Sequence, residues 1–282
     1  MAKRIFSTIA LWAMATLAIV YGGSYGFAAL ICALALGTNY EVCALLRASA
    51  LTPSLKYVQF ATVVIFVLST RACMGAECIV SDIAAILLML APLLTIVKDP
   101  FGDRFSKTVL PTVAVIFIVP FMLKWFAVTA NWGTGGGYEN IMLAVWIIAA
   151  AKFSDVGAYV VGCAFGRHKM APAISPNKTW EGALGGVLSS AAIGAVIAWI
   201  GAEYGVFWSY ITPLKAAAIS MPIGAVAIMS DLLESVFKRR TNVKDSGAII
   251  PGIGGMLDLA DSLILCAPLS FAVLLFFALT HM

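Results

Sequence analysis

Charge is what this sequence has least of. Of its 282 residues only 11% are Asp, Glu, Lys or Arg, against 62% hydrophobic, whereas an ordinary globular chain is about a quarter charged. With a mean hydropathy of +0.98, a soluble domain is excluded and an integral membrane protein remains. Histidine is scarce, and the six cysteines form no CxxC pair and no Cys/His cluster, which argues against a structural zinc centre. Most of them read as small buried hydrophobes. Cys73 and Cys78 are the exception, since they share a short loop and could pair in an oxidising compartment. Neither GxxxxGK[ST] nor a GxGxxG after a strand is present, so the soluble nucleotide folds are excluded too. The net charge of +4 makes no case for nucleic acid, because in a membrane protein the placement of Lys and Arg matters more than their sum. The opening MAKRIFSTIALWAMATLAIVYGG has the charge and apolar run of a signal peptide but no A-x-A-like cleavage site, and is expected to be a retained first span.

A membrane span needs about 20 apolar residues. Nine segments approach that length, at about 5–21, 25–46, 57–71, 79–97, 108–128, 140–163, 182–201, 214–236 and 260–280, broken at Gly, Pro and charge. The expected fold is all-α, a polytopic membrane protein with about nine transmembrane helices. With Lys3 and Arg4 in the cytoplasm, the loops on that side hold Arg47, Lys56, Lys98, Arg104, Lys107, Arg167, Lys169, Lys178, Lys238, Arg239, Arg240 and Lys244. The far side receives Arg71, Lys124 and Lys215. That asymmetry is the positive-inside pattern. Residues 1–130 form a first set of helices with no recurring chemical motif. Residues 138–282 form a second set, which carries nearly every polar residue that needs explaining.

Lys152 and Asp155 lie inside a predicted span and are three residues apart, close enough to pair; Asp155, Tyr159 and Gly162 share a helix face. Ionisable groups at membrane depth mark a functional cavity by default, and a neutralised packing pair is the alternative. The loop GRHKMAPAISPNKTWEG contributes Lys178 as a cation and Ser175 and Asn177 as hydroxyl and amide donors. Asp231, Glu234, Ser235 and Lys238 repeat at helical spacing, placing two acids on one face at a span's cytoplasmic end. Lys244 and Asp245 follow, and then Pro251-Gly252-Ile253-Gly254-Gly255 offers bare backbone amides for close approach by a phosphate. Asp258 and Asp261 open the last span on one face. Carboxylates so placed suit a hard divalent cation, magnesium in particular when phosphate oxygens complete its shell.

These residues resemble the CDP-diglyceride synthetase (phosphatidate cytidylyltransferase) family. Its long motif reads Ser-x-x-Lys-Arg, four residues, Lys-Asp-x-Gly, then Pro-Gly-His-Gly-Gly-x-x-Asp-Arg-x-Asp. Ser235, Lys238, Arg239, Lys244, Asp245, Gly247, Pro251, Gly252, Gly254, Gly255, Asp258 and Asp261 match it in order and spacing. ISPNKTWEG and DVGAYVVGCAFGR resemble two further family motifs. Three positions depart: Ile253 stands for the family's His, Leu259 for its Arg, and Ser230 where a Gly usually precedes the Asp-Leu pair. The resemblance implies transfer of CMP from CTP to phosphatidic acid, giving CDP-diacylglycerol and pyrophosphate. It further implies magnesium with the number of cations open, a homodimer in the cell membrane, and motif loops facing the cytoplasm. The residues expected to act in catalysis are Lys178, Lys238, Arg239, Lys244 and Asp245. Asp155, Tyr159, Ser175, Asn177, Gly254 and Gly255 are expected to bind substrate, and Asp231, Asp258 and Asp261 the metal. A related CTP-dependent lipid-phosphate transferase and an ion-coupled transporter are the alternative readings.

Overall fold

The structure is a computed structural model that describes residues 2–71, 76–98, 102–132, 137–205, 211–241, 247 and 254–281. Cys73 lies outside the described residues, as does the side chain of Cys78. Nine α-helices are described: α1 (Ala2–Ala48), α2 (Leu55–Arg71), α3 (Ala76–Leu90), α4 (Leu110–Ile116), α5 (Met122–Ala130), α6 (Tyr138–Phe165), α7 (Trp180–Glu203), α8 (Pro213–Arg240) and α9 (Met256–His281). One small antiparallel hairpin, β1 (Lys169–Ala171) with β2 (Ser175–Thr179), interrupts the all-α pattern. Six helical stretches are long and apolar enough to cross a membrane, and Val80–Thr95 is a shorter apolar helix. The chain is a polytopic helical membrane protein. It divides into two compact units, Met1–Gly137 with Arg240–Ala260, and Tyr138–Arg239 with Asp261–Met282.

In the first unit, glycine and proline decide where helices bend. Gly23 interrupts α1 at φ 54°, ψ −137°, a conformation that costs a residue with a Cβ and not glycine. The break falls within the GGSYG stretch. Proline acts at Pro111, in the first turn of α4 just after a π-helical turn (Phe105–Val109), and at Pro120, inside a second π-helical turn (Phe117–Phe121). A helical proline frees the carbonyl four residues back, which for Pro111 is that of Lys107. That carbonyl accepts the Thr52 N–H at 2.7 Å instead, so a loop residue completes the ladder that proline opened.

Polar side chains join these helices where lipid offers no partner. Asn39 Nδ2 of α1 donates to Thr62 Oγ1 of α2 at 2.8 Å, and Tyr57 of α2 donates to the Leu88 carbonyl of α3 at 2.6 Å. Lys124 of α5 is fully buried and ion-paired with Asp82 of α3. Its ammonium also lies 4.7 Å from the Phe121 ring centroid and 4.9 Å from that of Trp125, within cation–π range. This corrects the reading of Lys124 as a far-side loop cation. It is an internal charge.

In the second unit, small residues let α6 and α7 approach closely. A Cβ on Gly182 would stand 2.8 Å from the Ala158 carbonyl oxygen, and one on Gly186 2.8 Å from that of Ser154, so only glycine fits. Such small-residue contacts are how membrane helices gain packing without a hydrophobic driving force. Hydroxyls complete the unit: Ser154 donates to the Gly224 carbonyl at 3.1 Å and Ser190 to that of Ser220 at 2.7 Å. Trp146 Nε1 reaches Ser220 Oγ at 3.0 Å. On α7, exposed Trp180 marks one end and exposed Trp199 and Tyr204 the other. Nineteen helical steps separate the two tryptophans, about 28 Å at 1.5 Å per residue, close to the roughly 30 Å hydrocarbon core that aromatic belts bracket.

The Lys124–Asp82 pair is asymmetric, with side-chain exposures of 0% and 35%. Asp82→Leu therefore removes a described counter-ion from a buried cation and is expected to destabilise by about 3 kcal/mol or more. Lys124→Met leaves a partly solvated carboxylate and costs less. The double variant should recover most of the loss, and thermal unfolding in detergent micelles reads all three.

Candidate active site

The site grows from the turn between α6 and α7. Pro172 occupies the second position of a tight turn closed by the Ile174 N–H on the Ala171 carbonyl at 3.1 Å, where its fixed φ is favoured. Lys169 then pairs with Thr179 and Ala171 with Ser175. Thr179 ends the hairpin in extended conformation and caps α7, its Oγ1 accepting the Gly182 N–H at 3.1 Å. Glu181, in the first turn of α7, accepts the backbone N–H groups of Arg167 (3.1 Å) and His168 (3.2 Å) and meets His168 Nδ1 at 2.5 Å. The Trp180 N–H donates to the His168 carbonyl at 2.9 Å. Both ends of the polar loop are thus tied to one helix end.

The anchored hairpin covers a cleft of about 210 Å³, lined by Asp155 and Tyr159 of α6, Met170 of β1, Asn177 and Lys178 of β2 and Asp231 of α8. Four of the residues expected to bind substrate or act in catalysis (Asp155, Tyr159, Asn177, Lys178) therefore meet there. Ser175 sits on β2 opposite Ala171 and is not among the lining residues. Arg239, at the end of α8, donates from Nε to the Ile174 carbonyl at 3.2 Å, which ties α8 to the hairpin turn.

Asp231, which lines this cleft, belongs to a cluster of acids. Carboxylate oxygens of Asp231, Glu234 and Asp261 lie within 4.8 Å of one another. Unit charges that close repel by about 3 kcal/mol per pair at an effective dielectric of about 20. The repulsion is offset by a lysine on each acid. Lys178 Nζ is 2.5 Å from Asp231 Oδ2, Lys238 Nζ 2.6 Å from Glu234 Oε1, and Lys152 Nζ 3.1 Å from Asp261 Oδ1. Asp155 adds a fourth negative charge within electrostatic reach of Lys152, Asp231 and Asp261. Ser230 holds the helices in register by donating to the Asp261 carbonyl, so a departure from the family pattern has a local use. Three convergent carboxylates form a hard-oxygen donor set of the kind that fits magnesium.

Asp258 is placed differently. Its Oδ2 accepts the Gly255 N–H at 2.9 Å, reaching back from the first turn of α9 as the acid of a capping box does. Gly254, at φ 133°, would bring a Cβ within 2.9 Å of that oxygen. Lys244 and Asp245 lie outside the described residues, as does Ile253. Glu234 had the sequence signal to join the metal set, one helical turn from Asp231. The Lys152–Asp261 pair had none, since the partners are 109 residues apart.

Comparison with known proteins identifies the family. The chain is 33% identical over 190 residues to the phosphatidate cytidylyltransferase of Haemophilus influenzae, covering 66% of this chain and 65% of that protein. It is 42% identical over 119 residues to the phosphatidate cytidylyltransferase of Rickettsia bellii, covering 42% of this chain and 52% of the relative. It is 33% identical over 191 residues to the uncharacterized protein YnbB of Escherichia coli, covering 65% of this chain and 59% of the relative. The matches span about half to two thirds of these relatives' own length. A model of the cytidylyltransferase family matches residues 2–277, and to that family the chain belongs.

Proposed function

We propose that the protein is a phosphatidate cytidylyltransferase, with Asp231, Glu234 and Asp261 holding magnesium and Lys178, Lys238 and Arg239 serving the phosphates. The observation that carries this reading is the lysine on each clustered acid. Each ammonium offsets a carboxylate. A divalent cation among the acids would leave those ammonium groups available to phosphate oxygens. When bound, magnesium would neutralise phosphate charge and hold the triphosphate in line.

The chemistry asks little else of the protein. An oxygen of the phosphatidate phosphate attacks the α-phosphorus of CTP. The bond from that phosphorus to the bridging oxygen of the β-phosphate breaks, and pyrophosphate leaves with the electron pair. The nucleophile is already anionic, so no strong base is required, and catalysis is positioning and charge neutralisation. Lys178 and Asn177, fixed by the hairpin, orient the phosphate nearest the cleft. Lys238, next to Glu234, and Arg239, at the hairpin turn, face the departing negative charge. The cleft, about 210 Å³, is smaller than the roughly 300–1,000 Å³ of sites that enclose a drug-sized ligand. It suits a phosphate-bearing headgroup.

The lysine and arginine asymmetry supports nine crossings with this cleft at the cytoplasmic face, where lipid headgroup and soluble nucleotide meet. Exposed Trp180 beside the hairpin supports the same interfacial depth. The homodimer rests on the family resemblance.

Purified protein in detergent with CTP, magnesium and phosphatidate should release pyrophosphate and form CDP-diacylglycerol. Turnover only with another lipid phosphate would move the protein to the related transferases, and none with any acceptor would overturn the reading. Asp261→Asn is expected to lower kcat by about 100-fold or more, with partial recovery at high magnesium. Asp258→Asn keeps a capping oxygen and should lose less; the reverse order would place the metal on Asp258. Single cysteines replacing Lys178 and Glu139 should label from opposite faces of the membrane, and labelling from one face would refute the crossing of α6.

A further inference from the structure

A carboxylate far from the family's long motif in sequence is placed against it in the fold. Glu41, on α1, is 2% exposed. Its Oε2 accepts the backbone N–H of Leu257 at 2.8 Å, in the first turn of α9, where helical N–H groups lack partners of their own and negative charge is favoured. Its Oε1 has no hydrogen-bond partner among the described residues and lies against Gly247. A Cβ at Gly247 would stand 2.5 Å from Oε1 and 2.8 Å from the carboxyl carbon. The same face of α1 presents Thr38, whose Oγ1 donates to the Met256 carbonyl at 3.3 Å. It also presents Gly37, where a Cβ would meet the Met256 side chain at 2.6 Å. Gly37, Thr38 and Glu41 share one helix face by their spacing.

Two points of the motif, Gly247 and Met256-Leu257, therefore lie against one stripe of α1, the second of them hydrogen-bonded to it, and the Pro251–Gly255 run lies between them in sequence. A buried carboxylate is costly unless its oxygens are satisfied, so a single accepted N–H does not account for Glu41. We propose that Glu41 is a positioning residue. Its carboxylate holds the two ends of the glycine-rich motif segment, and the motif glycine at 247 is required because that carboxylate occupies the space a side chain would take. The role in turnover rests on the cytidylyltransferase reading; the role in ordering the segment does not.

The test separates the two. Hydrogen–deuterium exchange of the intact protein in detergent, read on peptides covering 247–260, should speed up by about tenfold in Glu41→Ala, with α6 and α7 unchanged. Gly247→Ala should produce a similar loosening in the wild-type background and little further change on top of Glu41→Ala, because the clash partner is gone. With CTP and phosphatidate, Glu41→Ala should raise the KM for CTP more than it lowers kcat, and Glu41→Gln, which keeps one acceptor oxygen, should recover part of the exchange protection. If Glu41→Ala does not fold, the proposal stands or falls on Glu41→Gln and Gly247→Ala, which must each loosen the same peptides. Unchanged exchange in 247–260, or simple additivity of the Glu41 and Gly247 variants, overturns the proposal. Loosened peptides in a protein that never turns over CTP would uphold the positioning role and defeat the assigned activity.

Discussion

The second unit is organised around unlike charges that are costly to bury separately. Asp231, Glu234 and Asp261 crowd their oxygens into one small volume, which no membrane protein holds without compensation. The compensation arrives from three directions: Lys178 from the hairpin, Lys238 from the acids' own helix, and Lys152 from α6. Two of the lysines, Lys178 and Lys152, join one element to another. The hairpin cannot swing away without stranding Asp231, and α6 and α9 cannot slide without parting Lys152 from Asp261. The three lysines offset the three clustered acids. Under the proposed function they would exchange partners when a cation and phosphates bring their own opposite charges.

Backbone proximity makes this possible. The glycines of α7 bring it against carbonyls of α6, and the hydroxyls of Ser154, Ser190 and Ser230 join neighbouring helices. Larger side chains would separate the helices and move the lysines out of reach. Thr179 and Glu181 apply the same economy to the hairpin, capping a helix and closing a loop with two adjacent turns of chain.

Much of this was legible in the sequence where the rule is local. Hydropathy found the helical segments, the GGSYG break coincides with the positive φ of Gly23, and helical spacing put Asp231, Glu234 and Lys238 on one face. What was not legible depends on partners distant in the chain. Lys152 could have paired with Asp155 three residues on, yet its hydrogen bond goes to Asp261. Lys124 read as a loop cation because the sequence does not show that Asp82 is opposite. Asp258 and Asp261 were equivalent by spacing, and they part company because Asp258 turns back to accept the Gly255 N–H at the start of α9. The hairpin was hidden by its two prolines, which in isolation mark a loop and here set a turn and an open strand edge.

The central claim is that Asp231, Glu234 and Asp261 form one cation site. Manganese binding followed by electron paramagnetic resonance on the purified protein tests it without any turnover. Wild type should show a saturable site, and Glu234→Gln should weaken it by about tenfold or more with helical content unchanged. Binding that ignores Glu234→Gln but is lost in Asp258→Asn would contradict the account.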